Sequence, residues 1–198
     1  MNTSNSPPLR VLIIDADPER RALLIQGLQG NDCRILERET ITLELLDCLP
    51  QLDPDVIVID ADSPDRDMLE HVCSISRDQP RPVVLFTDDD DATMMQQAMR
   101  AGVTSYVVKG IAPARIKPIL QVAMLRFAEH QALRQDLAAA KDQLAERKLI
   151  ERAKGIVMQQ KNIGENEAYH LLRKMAMERN AKLADIAAQV VDLAQAFT

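Results

Sequence analysis

DVIVID, residues 55–60, sets four apolar residues between two aspartates. An unbroken apolar run this short reads as a strand buried on both faces. Outward from it, RVLII (Arg10–Ile14) is a second such run, ending at Asp15. Pro82–Phe86 is a third, ending at Thr87; Ser105–Val108 is a fourth, ending at Lys109; Cys33–Leu36 is a weaker one. Helical stripes lie between them. Leu23, Leu24 and Leu28 follow Pro18, then come Leu43, Leu46 and Leu49, then Met68, Leu69, Val72 and Ile75, then Met95–Ala101 closed by Gly102. Strands alternating with helices of this length predict a five-stranded parallel sheet covered on both faces. Such sheets bind ligands at the carboxyl ends of their strands. Asp15, Asp60, Thr87 and Lys109 all stand at those ends.

That placement resembles the receiver domain of response regulators, a flavodoxin-like α/β fold, over residues 9–125, behind a flexible tail at 1–8. The resemblance implies that Asp60, in Asp60-Ala61-Asp62-Ser63-Pro64, is the phosphoryl acceptor. It implies that Thr87 and Lys109 contact the phosphoryl group, that Tyr106 is the switch aromatic, and that Asp15 and Asp60 hold Mg²⁺. The chain departs from the pattern at two places. Receivers usually carry two adjacent acidic residues after the first strand; the second here is Ala16, and Asp17 lies one place too far on. Gly110 follows Lys109 where a proline is usual. Mg²⁺ demands near-octahedral oxygen ligation, so a lost carboxylate weakens it. Two readings follow: an aspartyl-phosphate switch at Asp60, or a receiver fold kept as a docking platform whose carboxylates are satisfied polar groups. Ala16 favours the second, with no cofactor required and weak labelling of Asp60 by small phosphodonors.

A long helical pattern begins at Pro113, which fits a first-turn position. Pro118 lies further in, where it is expected to bend the helix. The stretch EHQALRQDLAAAKDQLAERKL, residues 129–149, contains no Gly or Pro. Leu133, Leu137, Ala140 and Leu144 recur at four, three and four residues, the spacing of a two-stranded seam. His130 and Arg147 flank it, so the apolar run is short. A coiled-coil linker over 126–147 that joins two copies is expected; the other reading is a helix packed on its own chain.

Residues 146–160 read ERKLIERAKGIVMQQ. On a helix Leu149, Ile150, Ala153, Ile156 and Val157 share one arc, while Lys148, Arg152, Gly155 and Gln159 form a second stripe and Arg147, Lys154 and Lys161 a third. The chain breaks at Asn162-Ile163-Gly164, with Gly164 as N-cap and Glu167 placed to reach back to its N–H. A second helix follows with Ala168, Leu171, Leu172 and Met175, ending near Asn180. A third carries Leu183, Ile186, Ala187, Val190, Ala194 and Phe197. Three short one-sided helices are stable only against each other. The blocks ERAKGIVMQQ, EAYHLLRKMAMERN and LADIAAQVV resemble the ANTAR domain, the RNA-binding output module of bacterial antiterminators, here over 148–198. Lys148, Arg152 and Lys154 are the first candidates for RNA contact, and Arg173, Arg179 and Lys182 the second. For any one of them a solvated charge is an equal reading. Tyr169 could stack on a base, but a partly buried tyrosine fits as well, and His170 is as compatible with a structural role. Gly155 in mid-helix lowers stability relative to Ala, and it leaves room for a neighbouring helix or an RNA backbone.

DADSPDRDMLEHV and PILQVAMLRFAEHQALRQDL further resemble the nitrate-assimilation antiterminators within that family. This resemblance implies a nitrate-sensing protein that holds the regulator inactive. It also implies a leader mRNA target with two small hairpins in tandem, whose binding prevents the terminator from forming. RNA stems hide their base edges, so proteins read loops, and a dimer can meet two loops at once. The alternative function is a phosphorylation-controlled regulator acting through protein or DNA contacts.

The whole chain of 198 residues carries a net charge of −6, which argues against a generic nucleic-acid binder. Its distribution is uneven: Lys141–Thr198 holds ten Lys/Arg against eight Asp/Glu, the rest 14 against 22. An acidic front and a mildly basic back fit a regulatory unit joined to a polyanion-binding one. Cys33, Cys48 and Cys73 are widely spaced and read as small buried hydrophobes. No apolar run approaches a membrane span, and the start shows no secretion signal, so the expected place is the cytoplasm. No nucleophile is paired with a base, so no enzyme is expected. A helix-turn-helix would have to read DNA with LADIAAQVVDLAQAF, which lacks Arg, Lys and Asn.

Overall fold

The computed structural model describes residues 7–29, 33–108 and 112–196. Of the tail expected over 1–8, residues 1–6 lie outside them, as do Lys109, Gly110 and Phe197. The elements run β1 (Leu9–Ile14), α1 (Pro18–Leu28), β2 (Cys33–Arg38), α2 (Leu43–Leu52), β3 (Val56–Asp60), α3 (Arg66–Asp78), β4 (Val83–Thr87), α4 (Ala92–Ala101), β5 (Ser105–Val108), α5 (Pro113–Lys161), α6 (Glu165–Glu178) and α7 (Leu183–Ala196). The five strands are all parallel, in the order β2-β1-β3-β4-β5. The chain divides into two compact units, residues 1–131 and 132–198, with the division inside α5.

The first unit is the sheet expected from the alternating pattern. Strand side chains point to opposite faces in turn, and both faces are dry. Leu12, Ile14, Ile57, Ile59 and Leu85 meet Leu45, Leu49, Leu69, Val72 and Ile75 of α2 and α3. Val11, Ile13, Val58, Val84 and Phe86 meet Leu24 and Leu28 of α1 and Ile116, Leu120 and Ala123 of α5. Gly27 sets how closely α1 approaches the start of α5: a Cβ there would fall 2.6 Å from the Pro113 carbonyl oxygen and 2.4 Å from Ile116 Cδ1. Pro118 does not end α5, because so near the helix start it removes only the hydrogen bond to residue 114. Cys73 is exposed rather than buried.

The second unit packs the end of α5 against α6 and α7. Ala153, Val157, Ala168, Leu172, Ala176, Ile186, Ala187 and Val191 form its core. Ala176 and Val191 take deeper places than the expected Met175 and Val190, which are half-buried. Asn162 and Asn180 adopt left-handed backbone, φ 52° and 50°, at the two helix breaks. Glu167 Oε2 accepts from the Gly164 N–H at 3.2 Å, half of a capping box, since glycine has no side chain to complete it.

Candidate functional site

The carboxyl ends of β1, β3 and β4 converge on a carboxylate pocket. Asp15 is 1 % exposed, Asp60 8 % and Thr87 5 %. Asp15 Oδ1 accepts from the Asp17 N–H at 2.8 Å. The Thr87 hydroxyl donates to the Asp62 carbonyl at 2.9 Å and accepts from the Asp89 N–H at 3.1 Å. Tyr106 OH donates to the Asp89 carbonyl at 3.0 Å, tying β5 to the loop after β4. Asp17, the acidic residue one place out of register, is the N-cap of α1 and accepts from the Glu19 and Arg20 N–H groups at 2.7 and 3.3 Å. These bonds hold its carboxyl below the usual range.

Sequence reasoning missed Arg20. Its Nη2 lies 3.4 Å from Asp15 Oδ1, and its Nε lies 3.8 Å from Asp17 Oδ2 and 3.9 Å from Asp60 Oδ2. Nη1 donates to Asp62 Oδ1. A signal existed: a cation in the first turn of a helix opposes the macrodipole, so an arginine at that end of α1 calls for carboxylates nearby. Even so, Asp15 Oδ2 and Asp60 Oδ2 are buried with no hydrogen-bond partner. The expectation of satisfied carboxylates is therefore corrected: the guanidinium answers their charge but does not fill their lone pairs.

Burial first, then the charge of Asp15, push the Asp60 carboxyl from 3.8 up to about 6, against the pull of Arg20. The folded state thus binds this proton more tightly than the unfolded state. Stability from this group is full below pH 4 and is lost as pH rises through 6. The difference is worth at most about 3 kcal/mol, which screening by water and Arg20 cuts to about 1–2 kcal/mol. Asp60→Asn is therefore expected to stabilise the chain by that amount at pH 8, with the gain vanishing towards pH 4. Urea unfolding across that range reads it, and a gain independent of pH would contradict the stated cause.

The residues present do not fit Mg²⁺. Ala16 offers no oxygen, Asp17 is committed as a cap, and the described residues contain no cluster of three metal-ligating side chains. Arg20 already brings positive charge to Asp15 and Asp60.

In the second unit the six basic candidates separate. Lys148 and Arg152 lie one turn apart on α5, both exposed and outside every ion pair among the described residues. Lys154 is corrected as a candidate: it is buried, with Nζ 2.9 Å from Glu151 Oε2 and 2.7 Å from Glu165 Oε1. Those two hydrogen bonds, Glu165 first, push its amine above the usual lysine range. It clamps α5 to the start of α6, because the helix stripe that carries it turns towards α6. Arg173 and Lys182 are exposed on α6 and just before α7, and Arg179 Nη1 donates to Gln189 Oε1 at 2.9 Å. Tyr169 is 39 % exposed, partly covered with some of its ring open to solvent, edge-on to His170. Beyond its own helix turn, none of the described residues lies within 4 Å of a Cβ placed on Gly155, so no described neighbouring helix requires that glycine. Gly155 is exposed in the same stripe as Lys148, Arg152 and Gln159.

Comparison with known families matches residues 11–121 to the response regulator receiver domain and 138–191 to the ANTAR domain. The transcriptional regulatory protein PdtaR of Mycobacterium tuberculosis is 27 % identical over 185 residues, covering 93 % of this chain and 90 % of that protein. The nitrate regulatory protein of Klebsiella oxytoca is 42 % identical over 71 residues, 36 % of this chain and 18 % of that protein. A response regulator from Thermotoga maritima superposes with a TM-score of 0.53 at 13 % identity over 59 % of this chain and 98 % of its own, a likeness of fold alone.

Proposed function

Since the chain belongs to the response regulators, a receiver domain followed by an ANTAR domain, we propose that it is an RNA-binding regulator of transcription antitermination. In this reading the second unit grips unstacked bases in the loops of two tandem hairpins in a leader mRNA and keeps the terminator from forming. The observation that carries it is the exposed pair Lys148 and Arg152, free of internal partners on the outer side of α5. Loops expose what stems hide. With only a small basic excess in this half, affinity depends on placed contacts more than on bulk charge.

Two copies joined along Leu133, Leu137, Ala140 and Leu144 present two such faces to two hairpins. The similarity to a protein named for nitrate regulation supports nitrate and nitrite assimilation genes as targets, and a nitrate-sensing protein as the partner that restrains the regulator. No described helix is long and apolar enough to cross a membrane, which is compatible with work in the cytoplasm.

The test is a gel shift with the full chain. An RNA bearing two tandem hairpins is expected to be retarded, and duplex DNA of matching sequence is not. Equal retention of the duplex would defeat the reading.

A further inference from the structure

We propose that Arg20 is the resident cation of the receiver pocket, standing in for a divalent ion and excluding it. The inference concerns the first unit alone and does not depend on RNA binding.

Four carboxylates reach the guanidinium of Arg20: Asp15 from the end of β1, Asp17 from the cap of α1, Asp60 from the end of β3, and Asp62 from the loop that follows. The side chains of Asp15 and Asp60 are 0 % and 5 % exposed, so two carboxyl groups are nearly dry. Such a pair is tolerated only beside a compensating charge. Arginine suits the place better than lysine, because its planar fork spreads one charge over several donors. Here Nη1 faces Asp62 and Nη2 faces Asp15, while Nε lies at ion-pair distance, 3.8 and 3.9 Å, from Asp17 and Asp60 without a hydrogen bond to either.

The backbone fixes the arrangement. Asp17 caps α1 through the N–H of Arg20 itself, which sets the side chain's starting point over the pocket. The departure at Ala16 and the presence of Arg20 are thus two halves of one exchange. One carboxylate is missing from the ligand set, and one positive side chain supplies the charge the metal would have brought. A divalent ion could reach Asp15 and Asp60 only by lying against a like charge or by displacing the guanidinium from four partners. The side chain is 28 % exposed, so it has a route outward into solvent if displaced.

The orphaned Asp15 Oδ2 and Asp60 Oδ2 mark what the exchange leaves undone. A guanidinium donates in one plane and cannot satisfy oxygens on several sides, as a spherical ion can. Removing the arginine should therefore open Asp15 and Asp60 to the ion, with the ligand set still one carboxylate short at Ala16.

The probe is Mn²⁺, followed through the electron paramagnetic resonance signal of the free ion, with Mg²⁺ as competitor and the full-length chain as receptor. Wild-type protein and Arg20→Lys are expected to leave the free signal undiminished up to about millimolar Mn²⁺. Arg20→Gln is expected to bind one Mn²⁺ per chain at least tenfold more tightly, displaced by Mg²⁺ and abolished by adding Asp60→Asn. Tight stoichiometric binding by the wild type overturns the proposal, and so does a folded Arg20→Gln that gains no binding. If Arg20→Gln is unfolded alone, folding on addition of Mg²⁺ supports the exchange. Failure to fold in either condition overturns it, because the metal then cannot take the arginine's place. Loss of the RNA shift in the wild type would sink the function proposed above and leave these outcomes untouched.

Discussion

Leu133→Glu combined with Leu137→Glu should convert the chain to monomers and weaken binding of a two-hairpin RNA by roughly 10²-fold or more. Leu133, Leu137 and Leu144 are 66 %, 56 % and 54 % exposed. Every residue from 132 to 148 is exposed, so no side of α5 there is covered by its own chain. The reading in which this helix packs on its own chain thus has no buried side to support it. Most helical stability in proteins comes from packing an apolar side rather than from propensity, and the apolar residues here keep the spacing of a two-stranded seam. In the proposed dimer a second copy supplies the missing cover. Glutamates at two seam positions place like charges opposite each other and remove the apolar contact. Sedimentation equilibrium reads the assembly state, and fluorescence anisotropy compares one hairpin with two. Affinity for a single hairpin should hardly change, because no group that faces it is altered. If the variant remains dimeric, or loses one-hairpin and two-hairpin binding alike, linkage is not the source of affinity.

The sheet was legible because its evidence is repetitive. Four apolar runs end in Asp15, Asp60, Thr87 and Lys109, and this pattern survives shifts of a residue at strand ends, such as β3 running Val56–Asp60. The helices of the second unit were legible for the same reason, since a stripe tolerates one displaced member, as when Ala176 and Val191 replace Met175 and Val190 at the deepest places. The polar groups were not legible. Whether Lys154 faces water depends on where Glu165 of another helix lies, which one helix's periodicity cannot reveal. The macrodipole argument applies to Arg20 and Arg21 alike, and only the convergence of the β1 and β3 ends makes Arg20 the pocket residue. Asp17, one place too far on to match the usual metal ligand, serves as a helix cap. Charged side chains are long, and their partners are set by tertiary contacts, so spacing fixes the side of a helix but not the neighbour.

The same distinction shapes the second large effect. Lys148→Ala with Arg152→Ala should lower affinity for the two-hairpin RNA by about 10- to 100-fold, while the thermal midpoint stays unchanged. Both side chains are exposed and without internal partners, so their removal breaks nothing in the fold. If each meets a phosphate of a single-stranded loop, the slope of log K against log salt should flatten by about 1.4. Lys154→Ala is the contrast: any loss of binding there should follow loosening of the α5–α6 junction, seen as faster amide exchange around Glu165, and the salt slope should be kept. Gly155→Ala separates the two roles most sharply. Alanine in mid-helix stabilises by about 1 kcal/mol, and beyond its own helix turn none of the described residues lies within 4 Å of the added carbon. If Lys148 and Arg152 bring an RNA backbone against this stripe, the same methyl group lies in its path. The variant should then melt higher and bind more weakly, opposite signs that a purely structural glycine cannot produce. A variant that melts higher and binds as well as the parent would move the RNA contact away from this side of α5.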